Sequence, residues 1–164
     1  MDERKVLEKI EELGKGLPRF PDGRINYSNA PAAPVVTIFV RYKGEILILK
    51  RGDKVATYRG KWNVVAGYLD EIRPVKEKVL EELREEAGIS ESDILSFHFG
   101  RPLKFADKSI GKTWFVHPVL VEMKEKPRIR LDWEHTEYRW IRPEEIKNFD
   151  AVSNLAKGWK AASK

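Results

Sequence analysis

Apolar residues recur at helical spacing near the N-terminus, where Val6, Leu7, Ile10 and Leu13 interrupt a run of charges. That pattern predicts an amphipathic helix over residues 2–13, stopped by Gly14 and Gly16. Between Lys15 and Pro34 the residues Pro18, Pro21, Gly23, Pro31 and Pro34 break any regular period. An extended segment is expected there, wandering over the surface or crossing the domain, and a loop of such length is often functional. Strand patterns then cover Val35–Tyr42 and Glu45–Lys50, with Lys43-Gly44 as the hairpin turn. A short strand over Lys61–Ala66 leads into Gly67. Pro74 at the first helical position opens a helix to Ala87, and Gly88 sits at its C-cap. Strands are predicted over Asp93–Leu103, Lys112–Met123, Pro127–Leu131 and Glu137–Ile141. Pro143 begins a short helix, and Val152–Ala162 forms a last one with Leu155 and Trp159 four apart. Strands outnumber helices, which fall at the start, middle and end, so a mixed sheet flanked by helices follows.

The helix ending at Ala87 carries an unusual load. Glu81, Glu82, Glu85 and Glu86 crowd its last turns. Like charges four apart repel by roughly 0.2–0.5 kcal/mol per pair, and carboxylates near a helix C-terminus oppose its dipole. At about 100° per residue, Val75, Val79, Leu83 and Ala87 share the core-facing stripe, and Glu82, Glu85 and Glu86 share one edge beside it. Glu86 borders the buried stripe, where an unpaired carboxylate is costly. Lys78, one turn before Glu82, can offset a single charge. A hard divalent cation bound by oxygens would resolve the remainder. Gly67 permits close backbone approach, so its carbonyl can join the same ligand set. Mg²⁺ is the expected ion, with Mn²⁺ as the alternative, since no histidine or thiolate cluster favours zinc.

Composition narrows the class. The chain has 164 residues, 41% hydrophobic and 35% charged, enough for one domain with a real core. No apolar run reaches membrane-spanning length, and the charged N-terminus is not a signal peptide. The absence of cysteine rules out disulfides, thiolate metal sites and a cysteine nucleophile, and suits a cytoplasmic setting. A net charge of +5 fits an anionic substrate. No interleaving of aromatics on a basic strand points to RNA, so nucleic acid is not the expected partner.

Gly67, Glu82, Leu83, Glu85, Glu86, Gly88 and Ile89 match the signature of the Nudix hydrolases, a glycine followed at fixed spacing by a core ending in REUxEExGU, with U aliphatic. Two positions depart. The family has glutamate at the position of Arg73 and arginine at the position of Glu81, residues that typically pair. Here the pair looks charge-reversed, and a double swap is expected to rescue what either single change damages. The resemblance extends to GKWNVVAGYLDE before the helix, to LILKRGDK at residues 47–54, and to EHTEYRWI at 134–141. It covers about residues 34–147. One domain is expected, with residues 1–33 as an N-terminal helix and extended loop and 148–164 as a C-terminal helix.

The resemblance implies an α/β/α sandwich around a mixed sheet and Mg²⁺-dependent hydrolysis of a diphosphate bond in a nucleoside diphosphate derivative, such as ADP-ribose, a dinucleoside polyphosphate or a nucleoside triphosphate. It implies Glu82 and Glu86 as principal metal ligands, Glu85 as a direct or water-mediated one, and the Gly67 carbonyl as a further ligand. Glu134 is the candidate general base, with Glu137 as substitute. Arg51 and Lys50 end a strand near the expected cleft and suit phosphate, Arg51 through its forked guanidinium. Arg59 and Lys61 are weaker candidates. Tyr58, Trp114 and Trp133 are candidates for stacking on a base, against the commoner core role of aromatics. His98, His117 and His135 are not spaced as a metal set, and His117 reads as structural. The competing reading is a non-catalytic nucleotide-binding module. An isopentenyl diphosphate isomerase would need the cysteine this chain lacks. The tail around Leu155 and Trp159 suits either a homodimer contact or docking on its own domain.

Overall fold

A computed structural model describes residues 1–164. Helix α1 (Glu3–Gly14) leads through an irregular segment to strands β1 (Ala32–Tyr42), β2 (Glu45–Arg51), β3 (Trp62–Asn63) and β4 (Val65–Tyr68). Helix α2 (Val75–Ala87) follows. Then come β5 (Ile94–Phe99), β6 (Leu103–Asp107), β7 (Lys112–Met123) and β8 (His135–Ile141). A 3₁₀ turn (Pro143–Asn148) and helix α3 (Leu155–Ala162) complete the chain.

All eight strands join one mixed sheet. β1 is its spine, parallel to β7 from Ala32↔Thr113 to Arg41↔Glu122. On its other edge β1 changes partner. Val35–Ile38 pair with β4, whereas Arg41 and Tyr42 pair with β2 across the Lys43-Gly44 turn. β2 then carries β3 and β8, so the sheet divides into two branches. The chain crosses between them at Val64, whose N–H bonds the Asn63 side chain at 2.8 Å. This crossing is why the expected strand over Lys61–Ala66 is two short strands.

Apolar spacing set the helices well. Val75, Val79, Leu83 and Ala87 are all fully buried, as are Val6 and Ile10 of α1. They pack with Val36, Ile38, Val40, Leu47 and Leu49 into the main core. A second cluster of Phe39, Ile46, Ile48, Trp62 and Leu120 lies beneath α3 and the 3₁₀ turn. Trp159 meets Phe39 edge-on at 5.6 Å, so the C-terminal helix docks on its own chain. No helix is long and apolar enough to cross a membrane.

Three expectations are corrected. Pro74 precedes α2 as its N-cap, and its side chain caps nothing. Instead Glu3 of α1 accepts the Val75 N–H at 2.8 Å, a partner no local motif could announce. The strand expected over Asp93–Leu103 breaks after Phe99 and resumes as β6. Both pieces pair with β7, and the Arg101-Pro102 step interrupts the ladder. Pro127–Leu131 is not a strand. Its alternation is real, with Ile129 and Leu131 packed on the core, but the Arg130 N–H bonds the Ala87 carbonyl at the end of α2, at 3.0 Å. At that end Gly88 adopts φ 70° and donates its N–H to the Arg84 carbonyl, a left-handed cap, while Ile89 donates back to Leu83.

His117 is an anomaly within the core. It is 7% exposed, and neither ring nitrogen has a partner. Burial depresses its pKa to about 4. The unfolded chain therefore binds a proton between pH ~6.5 and pH 4 that the native state refuses, and stability falls as pH drops through that window. His117→Leu should raise the thermal midpoint at pH 7 by roughly 2–4 °C, worth about 1 kcal/mol. It should also flatten the loss between pH 7 and pH 5, as read by thermal denaturation at both values. A lower midpoint at pH 7 with unchanged pH dependence would count against this account.

Candidate active site

The division of the sheet leaves a pocket of about 560 Å³ beside α2. Gly67, Glu82, Glu85 and Glu86 line it, together with Arg51 at the end of β2 and Glu134 from the loop before β8. Residues far apart in sequence thus meet in one cleft. Lys50 and Trp133 are not brought there. Lys50 turns away to Glu137 at 3.6 Å, as the side-chain alternation along β2 requires. Trp133 is 70% exposed on its loop. Glu137 is engaged by Lys50 and Arg139, Lys61 by Asp150, and Arg59 by the Val55 carbonyl.

Gly67 is required by space. A Cβ there would lie 2.4 Å from Cδ of Glu82, so the carboxylate rests directly on the β4 backbone. Glu86 is 5% exposed. It accepts the Ala66 N–H at 3.2 Å, with His135 Nε2 4.0 Å away. His135 is itself held by Asp132 at 2.8 Å. Burial first, then the charge of Glu82 and their shared hydrogen bond, raise the Glu86 pKa well above the carboxylate range. Burial and Asp132 raise that of Glu134, and burial with Glu82 and Glu81 that of Glu85. Added positive charge would favour the ionised form of each group.

Tyr58, Tyr68, Phe105 and Trp114 give the same pocket an aromatic lining. Tyr58 stands at φ 53°. Its hydroxyl donates to Asp107 at 2.6 Å and accepts from Trp114 Nε1 at 2.9 Å. Trp114 belongs to the buried core and Tyr58 packs against it, so packing and hydrogen bonds fix this wall. Arg51 is held in the cleft by the Thr57 carbonyl at 2.9 Å.

Three cations surround Glu81, and one of them, Arg24, was not placed here by the sequence pattern. Arg73 Nη2 lies 2.5 Å from its Oε2, so the reversed pair exists. It is not isolated, because Arg24 Nη2 is 3.0 Å from Oε1 and Lys78 Nζ is 3.0 Å from Oε2. Burial opposes ionisation of Glu81, but Lys78, Arg73 and Arg24 outweigh it and hold the carboxyl below its usual range. Arg24 comes from the proline-broken N-terminal segment, which is far from a loose excursion. Ile25 and Tyr27 are buried. They bond the carbonyls of Asp70 and Leu69, at 2.9 and 3.1 Å.

As they stand, no three acidic or histidine side chains close around a metal ion. The donors still suit one. They are all oxygens, they lie on a glycine-bared backbone, and Glu86 is buried without a full counter-charge.

A family model described as the NUDIX domain matches residues 30–161. The chain belongs to the Nudix family. It is a Nudix hydrolase. Nudix hydrolases generally use divalent metal ions. A curated relative, the nucleoside triphosphatase NudI of Salmonella arizonae, is 24% identical over 121 residues, spanning 71% of this chain and 86% of that protein. Among solved structures, a MutT protein of Methanosarcina mazei superposes with TM-score 0.66 at 24% identity, covering 80% of this chain and 93% of that one. An Ap4A hydrolase of C. elegans gives 0.62 at 19% identity, over 79% and 93%. These likenesses show the Nudix α/β fold.

The crowding around Glu81 alters the expected rescue. Exchanging Arg73 with Glu81 would aim a new arginine at Arg24 and Lys78. We predict that Glu81→Gln destabilises the protein by about 1–3 kcal/mol, because Arg24, Arg73 and Lys78 lose their shared buried partner and keep only their other carboxylates. Arg73→Met and Arg24→Met should each cost about 1 kcal/mol, since two cations remain on Glu81. The Arg73→Glu, Glu81→Arg double variant should stay well below wild type in thermal denaturation. Full recovery by the double swap would show that Arg24 and Lys78 do not couple to Glu81.

Proposed function

We propose that the chain hydrolyses a phosphoanhydride bond of a nucleoside diphosphate derivative, such as ADP-ribose, a dinucleoside polyphosphate or a nucleoside triphosphate, with Mg²⁺ as its cation. The observation carrying this reading is the meeting of Glu134 with Glu82, Glu85 and Glu86 in one pocket that continues into an aromatic wall. Acidic and aromatic side chains lining one cleft suit a ligand that carries both a phosphate chain and a base. The names of the triphosphatase relative and the Ap4A hydrolase neighbour are consistent with that ligand class.

In this reading Glu82, Glu86, Glu85 and the Gly67 carbonyl hold the metal. When bound, the ion neutralises the phosphate charge and makes water more acidic. Glu134 accepts the proton of the attacking water and aims the oxygen at phosphorus. Arg51 faces the phosphate chain and stabilises the charge gathering on its oxygens. Tyr58 and Trp114, already fixed by their mutual hydrogen bond, receive the base without ordering cost.

Glu86→Gln keeps the acceptor for the Ala66 N–H but removes the charge. It should lower kcat/KM by about 10²–10⁴-fold, the usual scale for such a catalytic group. The thermal midpoint should hold or rise, because a crowded buried carboxylate has been neutralised. The measurement is turnover with Mg²⁺ across ADP-ribose, dinucleoside polyphosphates, nucleoside triphosphates and sugar nucleotides. Undiminished activity in the variant would refute the site.

A further inference from the structure

Lys78 lies at the heart of the acidic helix. It is 3% exposed. Its Nζ stands 3.0 Å from Glu82 Oε1, 3.0 Å from Glu81 Oε2 and 3.3 Å from Asp70 Oδ1. These carboxylates differ in what else they hold. Glu81 also binds Arg24 and Arg73, and would stay paired without the lysine. Glu82 has Lys78 as its sole cationic partner. The Glu82 carboxyl is also pressed against the Cα of Gly67, which limits its freedom to seek another. At Glu82, then, an ammonium group supplies the positive charge that a divalent ion would bring.

We propose that Lys78 is a built-in counter-ion for Glu82. It holds the metal-free site together, is displaced from Glu82 when a divalent cation binds, and so sets the affinity of the site for that ion. The inference rests on the reading of Glu82, Glu85 and Glu86 as the cation-binding set. Two cations on one carboxylate repel strongly in a buried setting, where the effective dielectric is far below that of water. Lysine suits the exchange. Its charge is compact, its stem is flexible and its three donors rotate. On leaving Glu82 it keeps Glu81 and Asp70 within reach, so the ammonium is never stranded. An arginine fork, committed to one planar geometry, would not step aside in this way.

The test compares wild type, Lys78→Met and Glu82→Gln by calorimetric Mn²⁺ binding and by thermal denaturation without metal. Lys78→Met should lower the metal-free midpoint and yet bind Mn²⁺ at least about tenfold more tightly, since a competing positive charge has gone. A lysine serving only to brace the helix would give the first effect without the second. If Lys78→Met is unfolded without metal, recovery of native circular dichroism on adding Mn²⁺ supports the proposal. Failure to recover at concentrations that saturate wild type overturns it. Mn²⁺ affinity unchanged or weaker in a folded Lys78→Met, with wild-type binding abolished by Glu82→Gln, overturns the counter-ion role alone. Absence of Mn²⁺ binding to wild type overturns the carboxylate-site reading and the counter-ion role with it.

Discussion

Charge compensation along one face of α2 governs this structure. Glu81, Glu82 and Glu86 are all buried on a helix whose apolar stripe is fully committed to the core. The helix cannot rotate to expose them without withdrawing Val75, Val79, Leu83 and Ala87. Positive charge must therefore be brought to the helix, and it arrives from three directions. Arg73 comes from the loop ahead of α2, Lys78 from the helix itself, and Arg24 from the N-terminal segment. All three reach Glu81. Only Lys78 reaches Glu82, and the Glu86 carboxyl receives a backbone N–H in place of a cation. Compensation thus weakens stepwise along the helix, from the residue that braces the fold to the residue most deeply committed to the cleft.

That gradient separates stability from chemistry within a single turn and a half. A carboxylate saturated by three cations has little affinity left for a fourth, so Glu81 is structural. A carboxylate pressed by like charges and short of counter-charge gains most when a cation enters, and Glu86 with Glu82 stands in that position. Gly67 makes the arrangement spatially feasible by removing the one side chain that would collide with Glu82.

Much of this was legible in the sequence because it was local. The buried stripe of α2 follows from its period, the Gly88 cap from the left-handed turn, and the convergence of glycine, helix and late loop from spacing and resemblance. What escaped was carried by residues distant in the chain. Glu3 caps α2 from another helix, and Arg24 reaches Glu81 from beyond the prolines. Neither leaves a periodic trace. The strand at Pro127–Leu131 failed for the complementary reason. Alternation reports which side chains turn inward, and it does not supply the neighbouring strand whose carbonyls a ladder needs. Lys50 was assigned to the cleft with Arg51 as the end of one strand, and Trp133 as an aromatic able to stack on a base, but adjacent strand positions face opposite ways, and an exposed loop tip obeys no such register.

The reversal at residues 73 and 81 explains why the N-terminal segment belongs to the site although the family match begins at residue 30. Exchanging an arginine and a glutamate leaves the net charge unchanged. It moves the positive member off the helix and onto the loop, and it leaves a helix whose buried face is acidic at 81, 82 and 86 in near succession. A single arginine on a loop can brace one carboxylate oxygen, and Arg73 meets Oε2. The other oxygen of Glu81 faces the segment where Arg24 lies, and Arg24 satisfies it. Arg24 can do so only because Ile25 and Tyr27, on either side of Asn26, are buried and bonded to Asp70 and Leu69. Packing of an apolar pair outside the matched domain therefore fixes a cation inside the active-site network, and the altered signature is coherent only when the whole chain is considered.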